Sequence, residues 1–127
     1  MRITAACKKA VDISLGFTLA HVGINNQTAD EAISGANTIG SIFGFNVKEG
    51  NSSVFSGTAV EFMKFNYYGT KGHIGFKTNS MQRALDYLKN NEVEIIEESI
   101  RYDDNGKLVS AYLRQEVNGF AVHIVRK

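Results

Sequence analysis

The chain of 127 residues is long enough for one domain, or for two small modules that share a core. Its 43% hydrophobic and 21% charged residues are ordinary for a globular protein, and its net charge of +1 provides no basic surface for nucleic acid or anionic membrane. No apolar run is long enough to span a bilayer, and the single cysteine, Cys7, excludes an internal disulfide. We therefore expect a cytoplasmic protein with no nucleic-acid or membrane partner.

The chain begins with a predicted helix over residues 1–16. In "ITAACKKAVDISLG" the apolar residues recur at helical spacing, and Gly16 is suited to end the helix. Cys7 lies on this helix, and we expect it to serve packing. The next stretch, "FTLAHVGIN" at 17–25, alternates in character from residue to residue, which predicts a strand.

A second helix is predicted after this strand. Thr28 and Glu31 have the spacing of a capping box, so the helix begins near Ala29, and Gly44 ends it. Short apolar segments separated by "EGN" and "SG" then predict three strands. These strands are expected at residues 45–48, 53–56 and 58–67.

The second half of the chain repeats this plan. "GHIGFKTN" at 72–79 predicts a strand, and Ser80 caps a helix from Met81 to about Asn90. Further strands follow, joined by turns at "DDNG" and "VNG". They are expected at residues 93–98, 108–116 and 120–125. "DDNG" at 103–106 also resembles the start of a calcium loop, but its later spacing favours a hairpin turn.

Two pairs of similar segments indicate an internal duplication. "HVGI" at 21–24 matches "HIGF" at 73–76, and "GTAVEFM" at 57–63 matches "GFAVHIV" at 119–125, in the same order. Each half therefore has the pattern strand–helix–strand–strand–strand. We predict an α+β fold of two βαβββ modules, at residues 17–68 and 71–127, preceded by the helix at 1–16.

The three histidines of the chain fall on matching positions of this repeat. His21 and His73 are in the first strand of each half, and His123 in the last strand of the second half matches Glu61 in the first. In both last strands the bulky neighbours point to the opposite face, so the four polar side chains share an open face with small residues beside them. Three imidazoles and one carboxylate that converge in a cleft would suit a divalent transition metal.

The repeat and its four polar positions resemble the vicinal oxygen chelate superfamily, the glyoxalase and bleomycin-resistance group. The resemblance covers residues 17–127 and implies two βαβββ modules around a cleft, with metal ligands at His21, Glu61, His73 and His123. The implied metal is Zn, Ni, Co, Mn or Fe. The family usually has Glu where this chain has His123, which argues against lactoylglutathione lyase chemistry and leaves Glu61 as the one catalytic base at a family position.

The same resemblance implies a small anionic substrate with adjacent oxygens, such as a 2-oxo acid or a sugar acid. A lyase or isomerase reaction would follow from chelation of both oxygens by the metal. The alternative is a metal-free or non-catalytic module that binds a ligand in the same cleft. Because family members often pair and sheet edges need covering, we also expect a homodimer.

A narrower resemblance concerns the first residues. "ITAACKKAVDISLGF" is similar to the last helix of ketohydroxyglutarate/ketodeoxyphosphogluconate aldolases, some of which have a glyoxalase-like domain after the barrel. This implies a C-terminal domain of such a fusion. The aldolase barrel and its Schiff-base lysine are not among these residues, so the chain itself is not expected to be an aldolase.

Overall fold

The computed structural model describes Val11 and residues 14–127. Within these residues two α-helices pack against one mixed sheet of eight strands, with a short 3₁₀ helix at Glu97–Ser99. The helices are α1 (Ala29–Phe43) and α2 (Met81–Asn90). The strands are β1 (Thr18–Ile24), β2 (Val47–Glu49), β3 (Ser53–Ser56), β4 (Val60–Met63), β5 (Gly72–Thr78), β6 (Arg101–Tyr102), β7 (Leu108–Tyr112) and β8 (Phe120–Arg126).

The order of strands in the sheet is symmetrical about its centre. It runs β2-β3-β4-β1-β5-β8-β7-β6, so β1 and β5 lie side by side and each half of the chain forms one half of the sheet. β1 and β5 are antiparallel, whereas β1 pairs with β4, and β5 with β8, in parallel. The predicted α+β fold of two βαβββ units is confirmed. The module boundaries, 17–68 and 71–127, stay a prediction.

Local signals placed both helices correctly. The Thr28 hydroxyl accepts a hydrogen bond from the Glu31 backbone N–H at 3.2 Å, and α1 ends at Gly44, whose φ of 73° is in the left-handed region. Ser80 accepts from the Arg83 N–H at 3.3 Å at the start of α2. The predicted N-terminal helix at 1–16 and Cys7 lie almost entirely outside the described residues.

Each helix covers its own half of the sheet with a separate apolar cluster. Ala32 and Ala36 of α1 pack on Val54 and Phe62. In the second half Met81, Ala84 and Leu85 of α2 pack on Leu15, Ile95, Ala111 and Ile124. Phe62 and Ile124 are the neighbours of Glu61 and His123 in the sequence, so the apolar side chains of β4 and β8 face the helices and the polar ones face away.

The predicted strand at 93–98 is wrong. Only an isolated bridge between Ile95 and Leu113 remains of it, and the chain turns into the 3₁₀ helix before β6. The reason is the Ser99 hydroxyl, which donates to the Ile96 carbonyl at 2.6 Å and accepts from the Tyr112 N–H at 2.8 Å. A side chain thus provides the partner that a strand carbonyl would have given β7.

Other strand ends are shifted but the strands exist. The predicted strands at 45–48, 58–67 and 108–116 are observed as Val47–Glu49, Val60–Met63 and Leu108–Tyr112. The "DDNG" segment is a hairpin turn, as predicted, because Asp103 Oδ1 accepts from the N–H groups of Asn105 and Lys107, both at 2.9 Å. In the part of the chain that is described, no helix is long and apolar enough to cross a membrane.

Candidate metal centre

The two His-x-Gly motifs interlock across the central strand pair. In the register of β1 and β5, His21 lies opposite Gly75 and His73 lies opposite Gly23. Gly75 in turn pairs with His123 of β8. Each of these two histidines therefore lies opposite the glycine of the other motif, and the two His–Gly pairs are neighbours on one face of the β1–β5 pair.

Glycine is required at both positions because the imidazole rings occupy the space of a side chain. A Cβ atom on Gly23 would lie 2.0 Å from Cε1 of His73. One on Gly75 would lie 2.7 Å from both Nε2 of His123 and Cε1 of His21. The sequence predicted small residues beside the histidines, and these two glycines are such residues. In the duplicated His-x-Gly pattern, each glycine leaves room for the imidazole ring of the other motif.

All four predicted side chains are brought together. Nε2 of His123 and Nε2 of His21 are 3.0 Å apart, and Nε2 of His73 is 3.1 Å from Oε1 of Glu61. The same carboxylate oxygen is 3.7 Å from Nε2 of His21. One ring nitrogen from each of the three histidines lies within 4.8 Å of the other two. Their role as metal ligands stays a prediction.

Side chains around the cluster hold it in place. Ser53 donates a hydrogen bond to Oε2 of Glu61 at 2.7 Å, which orients the carboxylate. Tyr112 stacks on the ring of His123 with centroids 4.3 Å apart and an interplanar angle of 21°. Tyr68 stacks on the other side of Tyr112, also at 4.3 Å. His123 is therefore the end of a column of three aromatic rings.

The cluster also leaves buried polar atoms without partners. Nδ1 of His73 and Nδ1 of His123 are buried and make no hydrogen bond to any described residue. Unsatisfied buried nitrogens cost free energy, so these two atoms are an energetic cost of the cluster. The Nε2 atoms instead converge with the Glu61 carboxylate, and imidazole and carboxylate donors in this combination fit Zn²⁺ and the neighbouring divalent transition ions.

Burial keeps the cluster in the protonation state that a metal needs. Burial, aided by the neighbouring His73 and His21 and opposed by Glu61, lowers the pKa of His123 to about 3. Burial likewise lowers the pKa of His21, more than the Glu61 carboxylate raises it. Both imidazoles are therefore neutral at pH 7, and a neutral imidazole can ligate.

Glu61 is ionised beside them. Burial acts to raise the pKa of its carboxyl, but hydrogen bonds from His73 and Ser53, with the charges of His73 and His21, bring it below the usual value. Burial, aided by Tyr67, Glu61 and Tyr68, raises the pKa of Tyr112, so its hydroxyl stays protonated. The cluster therefore offers one carboxylate that can accept a proton and one phenol that can donate a hydrogen bond.

These pKa directions predict acid sensitivity of the metal-free protein. As the pH is lowered from 6.5 to 5, the unfolded chain takes up a proton at His123 that the folded chain does not. The free energy of unfolding therefore decreases as the pH is lowered. The expected loss from this one residue is about 2 kcal/mol. Urea unfolding in chelator at both pH values measures it, and His123→Gln should show a smaller loss. Equal stability of the unsubstituted protein at the two pH values would contradict the expectation.

The cluster forms the floor of a cavity of about 240 Å³. The walls come mainly from the second half of the chain, and they include Ser52, Tyr67, Arg101, Ser110 and Tyr112. Among the described residues that line the cavity, Glu61 is the one carboxylate and Arg101 the one lysine or arginine. A cavity of this size is smaller than the 300–1,000 Å³ typical of drug-sized ligands, so it suits a small molecule.

Three residues of this site were not predicted from the sequence. Tyr112 and Arg101 lie on β7 and β6, and Ser53 lies on β3. The duplication contains a signal for two of them, because Ser53 and Ser110 occupy matching places beside β4 and β8, as do Phe55 and Tyr112. Phe55 in fact contacts His21 edge-on with centroids 6.2 Å apart.

The fold is glyoxalase-like: two βαβββ units place polar side chains from their first and last strands in one cleft. No family model matches the chain, and no curated protein matches it in sequence. The chain does resemble proteins of known structure in its fold.

Those structures include several methylmalonyl-CoA epimerases. One, in complex with methylmalonyl-CoA and NH4+, has a TM-score of 0.63 at 16% identity and covers 90% of this chain and 96% of its own. The epimerase from Mycobacterium tuberculosis has a TM-score of 0.57 at 14% identity, covering 85% and 86%. A hypothetical protein from Bacillus halodurans has a TM-score of 0.60 at 16% identity, covering 87% and 94%. These likenesses establish the glyoxalase-like fold.

Proposed function

We propose that His21, Glu61, His73 and His123 bind one divalent transition metal ion, and that the protein is a metal-dependent isomerase or lyase of small acids with adjacent oxygens. The observation that supports this most is the convergence of a ring nitrogen from each of the three histidines with the Glu61 carboxylate. Three neutral imidazoles, one carboxylate and a divalent ion sum to a charge of about +1, which suits an anionic chelating ligand.

The bound ion would supply Lewis-acid polarisation of the two substrate oxygens. The chain supplies the proton transfer: Glu61 is ionised and is oriented by Ser53 at 2.7 Å, and it would accept the substrate proton when it loosens as a ligand. Tyr112 keeps its proton and faces the same cavity as a hydrogen-bond donor. Since Glu61 is the one carboxylate among the described lining residues, removal and return of the proton on the same face fits better than inversion by two bases.

Exchange of substrate protons with solvent tests this function. The protein is purified without chelator or His tag, analysed for metal, and incubated in D₂O with 2-oxo acids and 2-hydroxy acids while NMR follows the hydrogens beside the carbonyl or hydroxyl carbon. We expect one equivalent of metal and enzyme-dependent exchange for at least one acid. Glu61→Gln, which keeps the shape of the side chain, should abolish exchange.

The alternative is a non-catalytic module that binds or senses such an acid. It is favoured by one observation, the replacement of the second carboxylate position by His123, which leaves Glu61 alone as a base. A protein that binds metal and acids but exchanges no hydrogen would establish this alternative. A protein that holds no metal after loading would end the first proposal altogether.

Two further proposals concern the assembly. We propose association with a 2-keto-3-deoxy-phosphogluconate-type aldolase, on the strength of the resemblance of residues 1–16 alone. We also propose a homodimer, because the sheet ends in the exposed edge strand β2 and the apolar side chains of Ile42, Phe43 and Phe45 are exposed nearby. Light scattering that gives the 14.0 kDa of one chain at micromolar concentration would exclude the dimer.

A further inference from the structure

Arg101 of β6 projects onto the same face of the sheet as the histidine cluster. Its Cα pairs with that of Ser110 on β7, and residues directly opposite each other in an antiparallel pair project to the same face. Ser110 is two residues from Tyr112, which stacks on His123, so both lie on the cluster face. Arg101 accordingly lines the cavity above the cluster.

Arg101 has no carboxylate partner among the described residues; Lys48 and Lys77 of the sheet have none either, but Arg101 is the one lysine or arginine among the described residues that line the cavity. No ion pair or side-chain hydrogen bond of Arg101 occurs in that part of the chain, and its charge opposes the rise in the pKa of Tyr112 on the neighbouring strand. Four other basic side chains are each held within 4.0 Å of an acid. These pairs are Lys64–Glu49, Lys89–Glu97, Arg114–Glu94 and Arg126–Asp103.

A guanidinium left unpaired at the wall of a small polar cavity is suited to an oxyanion. Its fixed fork of N–H donors matches a carboxylate or a phosphate by two parallel hydrogen bonds. The cavity of about 240 Å³ is lined by both the cluster and Arg101, so a short molecule held at the cluster shares the cavity with the guanidinium. Tyr67 and Tyr112 line the same cavity.

We propose that Arg101 binds a second acidic group of the substrate, so that the protein selects short acids with two anionic ends over acids with one. This inference rests on the proposed function, in which the adjacent oxygens at the other end of the same molecule are held at the histidine cluster. The two oxyanions that share the chemistry, a carboxylate and a phosphonate or phosphate, are distinguished by the probes.

The test compares three probes on the metal-loaded protein by calorimetry at constant ionic strength. 2-Oxoglutarate has a second carboxylate, 3-phosphonopyruvate has a phosphonate, and 5-methyl-2-oxohexanoate has an uncharged branched end in place of the second carboxylate. We expect at least one dianion to bind about 10- to 100-fold more tightly than the uncharged-end analogue. Arg101→Gln should remove that preference and leave the Kd of the analogue unchanged, and Arg101→Lys should keep part of it.

Arg83→Gln is the matched control, because Arg83 is an exposed arginine of α2 that does not line the cavity. It changes the net charge by the same amount and should retain the full preference. If Arg101→Gln keeps the preference for dianions, Arg101 is not the anchor and the proposed chelation still stands. If none of the probes binds the metal-loaded protein, chelation of 2-oxo acids itself fails, and the role of Arg101 fails with it.

Discussion

His73→Ala is expected to lower the affinity for a divalent transition ion by at least about 100-fold. His73 is the most buried of the four clustered side chains, with 2% of its surface exposed, and its Nε2 is 3.1 Å from Glu61. Its removal deletes one proposed ligand and also frees the carboxylate that it orients, and loss of orienting partners alone costs 10- to 100-fold in other metal sites. Elemental analysis and competition with a chromophoric chelator measure the change.

The fold should survive this substitution, because neither apolar cluster under the helices includes His73. Circular dichroism checks it, and His73→Gln, which leaves a smaller void, repeats the test if the alanine protein is unstable. Undiminished metal content in both variants would mean that His73 is not a ligand. No metal in the unsubstituted protein, loaded under the same conditions, would instead favour a metal-free pocket.

Gly23→Ala is expected to weaken metal binding by about 10- to 100-fold, although none of the proposed ligands is substituted. The new methyl group would lie 2.0 Å from Cε1 and 2.4 Å from both nitrogens of His73, so the ring must be displaced. Changes around a metal ligand that disturb its orientation cost about 10- to 100-fold in metal affinity at other sites. Calorimetric titration with Zn²⁺ gives the affinity, and the Zn²⁺ complex of the variant should also be less heat-stable.

Gly50→Ala is the matched control for this substitution. The nearest atom to a Cβ there is the Ser53 carbonyl oxygen at 3.4 Å, an ordinary contact, and no histidine atom lies within 4 Å of it. Neither glycine has the positive φ that would strain an alanine backbone, so the comparison isolates the collision with His73. Equal metal affinity of Gly23→Ala and Gly50→Ala would show that the ring has room to adjust.

The duplication allowed the centre of the molecule to be predicted from the sequence. Two copies of His-x-Gly, each at the start of a similar half, predicted equivalent strands, and alternation in "AVEFM" and "AVHIV" predicted the face on which Glu61 and His123 lie. Both expectations depend on local period and on a repeat, which are properties of the sequence alone. The structure accordingly agrees with them.

The wall of the site could not be predicted in the same way. The stacking of Tyr112 on His123 depends on the register of β7 with β8, and the position of Arg101 depends on β6 pairing with Ser110. That register is determined in part by the Ser99 hydroxyl, which replaces a strand carbonyl where a strand was predicted at 93–98. A side chain that substitutes for backbone leaves no periodic pattern, so sequence periodicity misplaces the strand and gives no position for the arginine that follows it.

Because the cluster lies where β1 and β5 pair, a bound ion would link the two halves of the chain. Glu61 and His21 belong to the first half and His73 and His123 to the second, while each half keeps its own helix-covered core. Occupancy of the centre would therefore stabilise the association of the halves by mass action, more than it stabilises either half. Extraction of the ion would remove this contribution and leave the six residue pairs between β1 and β5 to join the halves.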